Sequence, residues 1–178
     1  MKTLKNSLLL ALLFSAVGLN AQTDKTTTAR IVAAQNYVFV ATTANPLNSS
    51  DINKIMSRMP GYTGGGNVNL NSLNYDLTVT PDSLVSYLPY YGRSYTPRIG
   101  GLPDDTGIKF KSKKFVYKSV PRKKGGWNIS MIPKDTKDSY SMNLLITDTG
   151  YATLTVNSNN QQSISFDGYL SEPVKPKK

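Results

Sequence analysis

The sequence predicts a mainly β fold: an antiparallel meander, closing as a small barrel or folding as a two-sheet sandwich, with one or two short N-terminal helices. Three observations carry this. Alternating apolar and polar runs recur through the chain after Leu73. Short polar or glycine-bearing links separate them. Those links are shorter than the dozen or so residues that a parallel crossover needs.

Taken in order, Thr27 to Gln35 reads as a short helix, with Thr27 or Thr28 as cap and Ile31 and Ala34 on one face. It leads into Tyr37-Val38-Phe39-Val40-Ala41, an aromatic and β-branched run expected to be a buried strand. A second helix is expected from Ser50, because Ile52, Ile55, Met56 and Met59 fall at helical spacing and Pro60-Gly61 stops it. Gly64-Gly65-Gly66 reads as a joint, since no Lys-Ser or Lys-Thr follows at phosphate-loop spacing. From Leu73 the period becomes two, with Leu73, Tyr75, Leu77 and Val79 expected on one face of a strand. Pro81-Asp82 turns the chain into Leu84 to Leu88, the second arm of a hairpin. After an irregular Tyr-, Gly- and Pro-rich stretch from Pro89 to Gly107, strands are expected around Phe110, Tyr117, Ile129, Leu144, Leu154 and Ile164-Phe166. Lys123 to Gly126, Asp148 to Gly150 and Asn159-Asn160 supply turns between them. Eight or nine strands suffice for a lipocalin-like barrel or for a sandwich, and pattern alone does not choose.

Several strings occur together in a fixed order: Tyr75-Asp76-Leu77, Pro81-Asp82, Val85 to Arg93, Gly107-Ile108-Lys109-Phe110, Lys123 to Trp127, Gly150 to Leu154, and Ile164 to Gly168. The combination resembles the family known as domain of unknown function 4251, found in exported proteins of Bacteroidota. The stretch from Asn48 to Asn71 carries the resemblance least, being longer and richer in glycine. The resemblance implies a Gram-negative envelope, hence periplasm or outer surface, and brings no activity, cofactor or catalytic residue with it.

The N-terminus agrees with export. Lys2 and Lys5 precede an apolar or small run from Leu8 to Gly18, and Ala21 offers a small residue for cleavage, which is the anatomy of a signal peptide. No later run approaches the roughly 18 apolar residues of a transmembrane helix. The expected organisation is a signal peptide over 1–21, one β-domain over 22–171 and a basic disordered tail over 172–178. Removing 21 of the 178 residues leaves 157, enough for one core. Lys2 and Lys5 go with the leader, so 19 basic residues face 11 acidic ones and the charge becomes +8. The chain has no Cys and no His. That excludes disulfides, thiol nucleophiles, Cys/His zinc sites and any triad with an imidazole base.

Two constellations remain as candidate sites. Between Thr106 and Lys134 lie nine basic residues and no acid: Lys109, Lys111, Lys113, Lys114, Lys118, Arg122, Lys123, Lys124 and Lys134. If Ile108 and Phe110 face inward, Lys109 and Lys111 point outward together, a face for an anionic envelope component. The same lysines would also serve as a solvated face that discourages edge pairing. Tyr87, Tyr90, Tyr91, Tyr95, Arg93 and Arg98 form the second, on a loop where Tyr stacks on a sugar or covers an amphiphile and Arg grips an anion. Tyrosines between Pro and Gly serve equally as a packed lid over a barrel end.

Asp104-Asp105, or Asp135 with Asp138, offer oxygen ligands or a hydrolytic carboxylate pair, but neither follows a calcium-loop pattern and turn aspartates commonly bind nearby backbone. Ser112-Lys113 and Lys118-Ser119 are adjacent strand residues, so each pair points to opposite faces rather than forming a dyad. Trp127, Ile129 and Met131 alternate as core. The expectation is a noncatalytic envelope module that binds a small amphiphile or glycan, with the Tyr loop as mouth and the basic strands as rim. The alternative is a structural or assembly protein touching an acidic macromolecule through its basic face; a glycan hydrolase is the enzymatic outlier. No nucleic acid, cofactor or metal is expected.

Overall fold

Asp24 starts the first element. Its carboxylate accepts the Thr27 N–H at 2.9 Å and the Thr27 hydroxyl at 2.8 Å, while the Thr28 hydroxyl donates to the Asp24 carbonyl at 2.8 Å. The helix α1 therefore spans Lys25–Ala33, two residues earlier than the sequence predicts, because the carboxylate outcompetes the Thr27 and Thr28 hydroxyls as the cap. Thr28, Ile31 and Val32 are its buried residues, whereas Ala34 stands exposed at the C-cap. Gln35, at φ 50°, turns the chain into the sheet.

The computed structural model describes residues 23–47, 53–54, 57, 66–71, 73–95 and 107–173. Of the second expected helix, Asn53 and Lys54 are helical and the Ser57 N–H reaches the Asn53 carbonyl at 2.9 Å; Ile52, Ile55, Met56 and Met59 lie outside the described residues. So do residues 1–21, expected as a signal peptide, and residues 174–178 of the expected tail, although Glu172 meets Arg30 of α1 in an ion pair. No described helix is long and apolar enough to cross a membrane.

The strands are β1 (Tyr37–Pro46), β2 (Val68–Asn69), β3 (Asp76–Val79), β4 (Leu84–Leu88), β5 (Ile108–Ser112), β6 (Phe115–Pro121), β7 (Trp127–Pro133), β8 (Tyr140–Ile146), β9 (Tyr151–Ser158) and β10 (Ile164–Ser171). They form one antiparallel sheet in the order β5-β4-β3-β1-β10-β9-β8-β7-β6, with β2 added to β1. The two ends of that order, β5 and β6, are neighbours in the chain, joined by Lys113-Lys114 alone. The sheet is thus nearly closed into a barrel, with an open seam between β5 and β6, and the sandwich alternative falls.

The period-two pattern sets which side chains fill the inside. Leu77 and Val79 of β3, Leu84 and Leu88 of β4, Ile129 and Met131 of β7, and Met142, Leu144 and Ile146 of β8 are fully buried and join Tyr37, Phe39 and Phe166 in one core cluster. One expected face is corrected. Leu73 is 50% exposed, because its N–H bonds the Leu70 carbonyl and the Tyr75 N–H bonds the Leu73 carbonyl, so the chain is still turning there and β3 starts only at Asp76; Tyr75 is half-buried and packs against the core.

A shift of register between Ala41 and Thr43 marks a bulge in β1 opposite β10. Asp167 of β10 secures it from outside: its carboxylate accepts Asn45 Nδ2 at 2.6 Å and the Thr153 hydroxyl at 2.8 Å, and its carbonyl accepts the Thr42 hydroxyl at 3.0 Å. The helix lies at one end of the barrel, where Lys25 pairs with Asp148 at 3.2 Å and Gln35 Nε2 donates to the Thr80 carbonyl at 3.4 Å. The β9–β10 link lies at the far end of β9 from it.

Candidate functional site

Alternation along the two seam strands places the cations. Ile108 and Ser112 of β5 point inward and are buried, so Lys109 and Lys111 point outward. On β6, Tyr117 and Ser119 pair with the buried Met131 and Ile129, so Phe115, Tyr117 and Ser119 face inward and Val116, Lys118 and Val120 face outward. Lys113 and Lys114 form the link between the strands, and Arg122, Lys123 and Lys124 the β6–β7 turn. Gly125 and Gly126 complete that turn with φ of 88° and 79°, and the Arg122 N–H bonds the Gly126 carbonyl at 3.0 Å.

All of these cations are exposed except Lys109, whose ammonium lies 4.7 Å from the centre of the Tyr87 ring and is half-buried there. Among the described residues the ion pairs are Lys25 with Asp148 and Arg30 with Glu172; none engages Lys111, Lys113, Lys114, Lys118, Arg122, Lys123 or Lys124. Asp135 is tied to the same region. Its carboxylate accepts the Ser112 hydroxyl and, at 3.0 Å, the Lys113 N–H. The Ser112 hydrogen bond, with that backbone N–H, holds the Asp135 carboxyl below the usual carboxylate range. Its work is to clasp the β5–β6 link onto the β7–β8 link.

The described tyrosines of the second constellation lie in two neighbourhoods, Tyr91 near the stacked pair Tyr75 and Tyr87, and Tyr90 near Tyr95. Tyr87 sits on the outer face of β4, stacked on Tyr75 with ring centres 5.7 Å apart and planes at 27°. Tyr75 and Lys109 both contact its ring, and it remains 46% exposed. Tyr90 is instead a fastener. Its hydroxyl shares a proton between the carbonyls of Arg93 at 2.8 Å and Gln162 at 3.0 Å, and burial pushes that phenol up. The Gln162 N–H answers to the Arg93 carbonyl at 3.0 Å, and the Tyr95 N–H to the Asn160 carbonyl at 2.8 Å. The segment 90–95 is thereby sewn to the β9–β10 link at the barrel end away from α1. Tyr91 packs half-buried against the core, while Tyr95 is 67% exposed and Arg93 is exposed beside it. Arg98 lies outside the described residues.

A family model described as domain of unknown function, DUF4251, matches residues 20–170. The chain belongs to the DUF4251 family. A crystal structure similar to it is that of a DUF4251 family protein from Bacteroides eggerthii DSM 20697, at 16% sequence identity and a TM-score of 0.56, covering 83% of this chain and 87% of that one. No curated protein matches.

In this DUF4251 protein two of the candidate acids, Asp135 and Asp138, accept hydrogen bonds from their neighbours in the fold. Asp138 accepts from the Tyr140 hydroxyl at 3.3 Å, and Asp135 makes the clasp described above. Asp104 and Asp105 lie outside the described residues. Among the described residues no three Asp or Glu side chains come together as a metal site. Ser112 and Lys113 are no dyad, since the Ser112 hydroxyl is held by Asp135 and by the Lys114 carbonyl at 3.0 Å; Lys118 and Ser119 face opposite sides.

Two features escape a reading of the sequence. One is a shallow outer groove of about 170 Å³ between β8, β9 and β10, lined by Leu145, Tyr151, Thr153 and Asp167. The other is the seam itself. Phe110 of β5, Phe115 and Tyr117 of β6 and Trp127 of β7 pack against the core yet are only half-buried. Pro121, at the end of a strand, agrees with that open edge beside the lysines already read as discouraging edge pairing, because Pro is tolerated where no ladder bond is lost.

Proposed function

We propose that this DUF4251 protein is an exported, noncatalytic module of the cell envelope that contacts an acidic macromolecule through the basic face around its seam. The observation that carries the reading is the set of exposed cations Lys111, Lys113, Lys114, Lys118, Arg122, Lys123 and Lys124, which no ion pair engages among the described residues. Cations left unneutralised on one side of a domain attract and orient polyanions. The filling of the barrel by its own side chains favours this face over an enclosed ligand. The fastening of Tyr90 to two carbonyls likewise favours a lid over a sugar-stacking mouth. Export with cleavage after Ala21 is part of the reading, and a mature protein beginning at Gln22 is its expected product.

The test is a binding titration of the mature protein against polygalacturonate, with neutral dextran as control, at low and high salt. Exposed ion pairs are screened over about 10 Å at 0.1 M salt, so the affinity should fall about tenfold or more as salt rises. Reversing Lys111, Lys118 and Lys124 to Glu together should remove most of it. Affinity indifferent to salt and to those reversals overturns the reading.

A further inference from the structure

The β6 edge has a definite backbone polarity. The Lys134 N–H bonds the Lys114 carbonyl at 2.7 Å and the Arg122 N–H bonds the Gly126 carbonyl at 3.0 Å, bracketing the β6–β7 ladder. In an antiparallel pair, hydrogen-bonded positions recur every second residue. Even-numbered residues of β6 therefore spend their N–H and C=O groups on β7, and those of Phe115, Tyr117 and Ser119 point into the seam. Pro121 occupies the next position of that phase, where a missing N–H costs no ladder bond. Sheet order gives β6 no second neighbour among the described residues.

Three properties meet along this edge: a phase of N–H and C=O groups directed away from β7, half-buried aromatics on the inner side at Phe115 and Tyr117, and cations on the outer side at Lys118 with the Arg122 to Lys124 turn beyond it. We propose that β6 is a docking edge for an extended acidic segment of a partner protein, which adds to the sheet as a further strand. Its main chain would bond the odd-numbered residues of β6. Its alternate side chains would be apolar toward Phe115 and Tyr117, and acidic toward Lys118. A second copy of this chain is the poorer occupant, because like cations would be brought together across the new ladder. This rests on the basic-face reading and narrows it from an acidic macromolecule to an acidic strand.

The probe is a capped eight-residue peptide alternating valine and aspartate, with two isomers methylated at alternate amide nitrogens in opposite phases. Both isomers keep every side chain and charge. Bound as a strand, one isomer directs its methyls away from β6 and binds like the parent; the other loses its ladder bonds and binds about tenfold or more weakly. Hydrogen exchange on the full mature protein should show the amides of Phe115, Tyr117 and Ser119 protected by the parent peptide. Ser119→Pro, checked for native circular dichroism, should weaken the parent peptide about tenfold while Ser119→Ala does not. Equal binding of both methylated isomers, or no protection of those three amides, overturns strand addition. If polygalacturonate still binds in a salt-dependent way, the basic-face reading survives that result; if it does not, both fall.

Discussion

Asp135 and Asp76 are pushed in opposite directions by their surroundings. Asp135 is fully exposed and gathers donors, the Ser112 hydroxyl first and the Lys113 N–H second, which lower its pKa. Asp76, half-buried on the outer face of β3 between Val40 of β1 and Tyr87 of β4, is raised by desolvation. The linkage signs follow. A carboxyl lowered on folding contributes stability above its unfolded value near about 3.9, and that contribution is lost as pH falls through the folded value. A carboxyl raised on folding is penalised at neutral pH, and the penalty is relieved as pH falls through its folded value. Asp135→Asn should therefore lower the melting temperature by a few degrees at pH 7, with the deficit shrinking in acid. Asp76→Asn should raise it at pH 7, with the gain vanishing once the wild-type carboxyl is protonated. Thermal melts of both variants across the acid range check the two signs together, and parallel pH profiles for both would refute the assignment.

Where β1 and β10 meet, one glycine fixes how the element pair can pack. A Cβ on Gly168 would run into the Val40 carbonyl and lie 3.1 Å from the Phe39 ring, both on β1 beside the bulge. Backbone cannot move aside as a flexible side chain can. Gly168→Ala should cost about 2–3 kcal/mol, read as a fall of roughly 5–10 °C in melting temperature. Because β10 lies at the middle of the sheet and the cations at its two ends, polygalacturonate binding by the folded variant should be unchanged. At this scale the sequence is legible wherever alternation and turn chemistry agree. Leu84–Leu88 appears as read, and the links that precede β7, β9 and β10 fall at the expected turns. It is misleading where tertiary contacts override the pattern. Leu73 and Tyr75 continue the period of two, yet hydrogen bonds back to Leu70 and Leu73 keep that stretch in a turn and leave Leu73 exposed, while Tyr75 packs on the core and stacks on Tyr87. The two-residue β2 has too little sequence of its own to announce itself.

Across the whole molecule, the outward direction of Lys109 and Lys111 follows from Ile108 and Phe110 alone, but the seam they flank depends on which strands pair at a distance. Short-range pattern carries no record of that: β5 and β6 read as one more hairpin, and only the sheet order shows that they end the barrel without closing it. The tyrosine loop was opaque for a similar reason, since the partners of Tyr90 and Tyr95 are carbonyls at Gln162 and Asn160, far along the chain. An incompletely closed barrel faces the general hazard of strand edges, which is pairing with copies of itself. Net positive charge opposes this over the whole surface, but Lys118 opposes it at the edge, standing between Val116 and Val120, which are 50% and 45% exposed. Lys118→Val would turn that row into three consecutive outward valines beside the open N–H and C=O groups of Phe115, Tyr117 and Ser119. Lys123→Val removes the same charge from the neighbouring turn and leaves the edge intact. Light scattering over a concentration series should show mass rising with concentration for Lys118→Val and unchanged from the unsubstituted protein for Lys123→Val. Equal masses for the two would mean that net charge, rather than a guarded edge, keeps the molecules apart, and the case for strand addition at β6 would weaken with it.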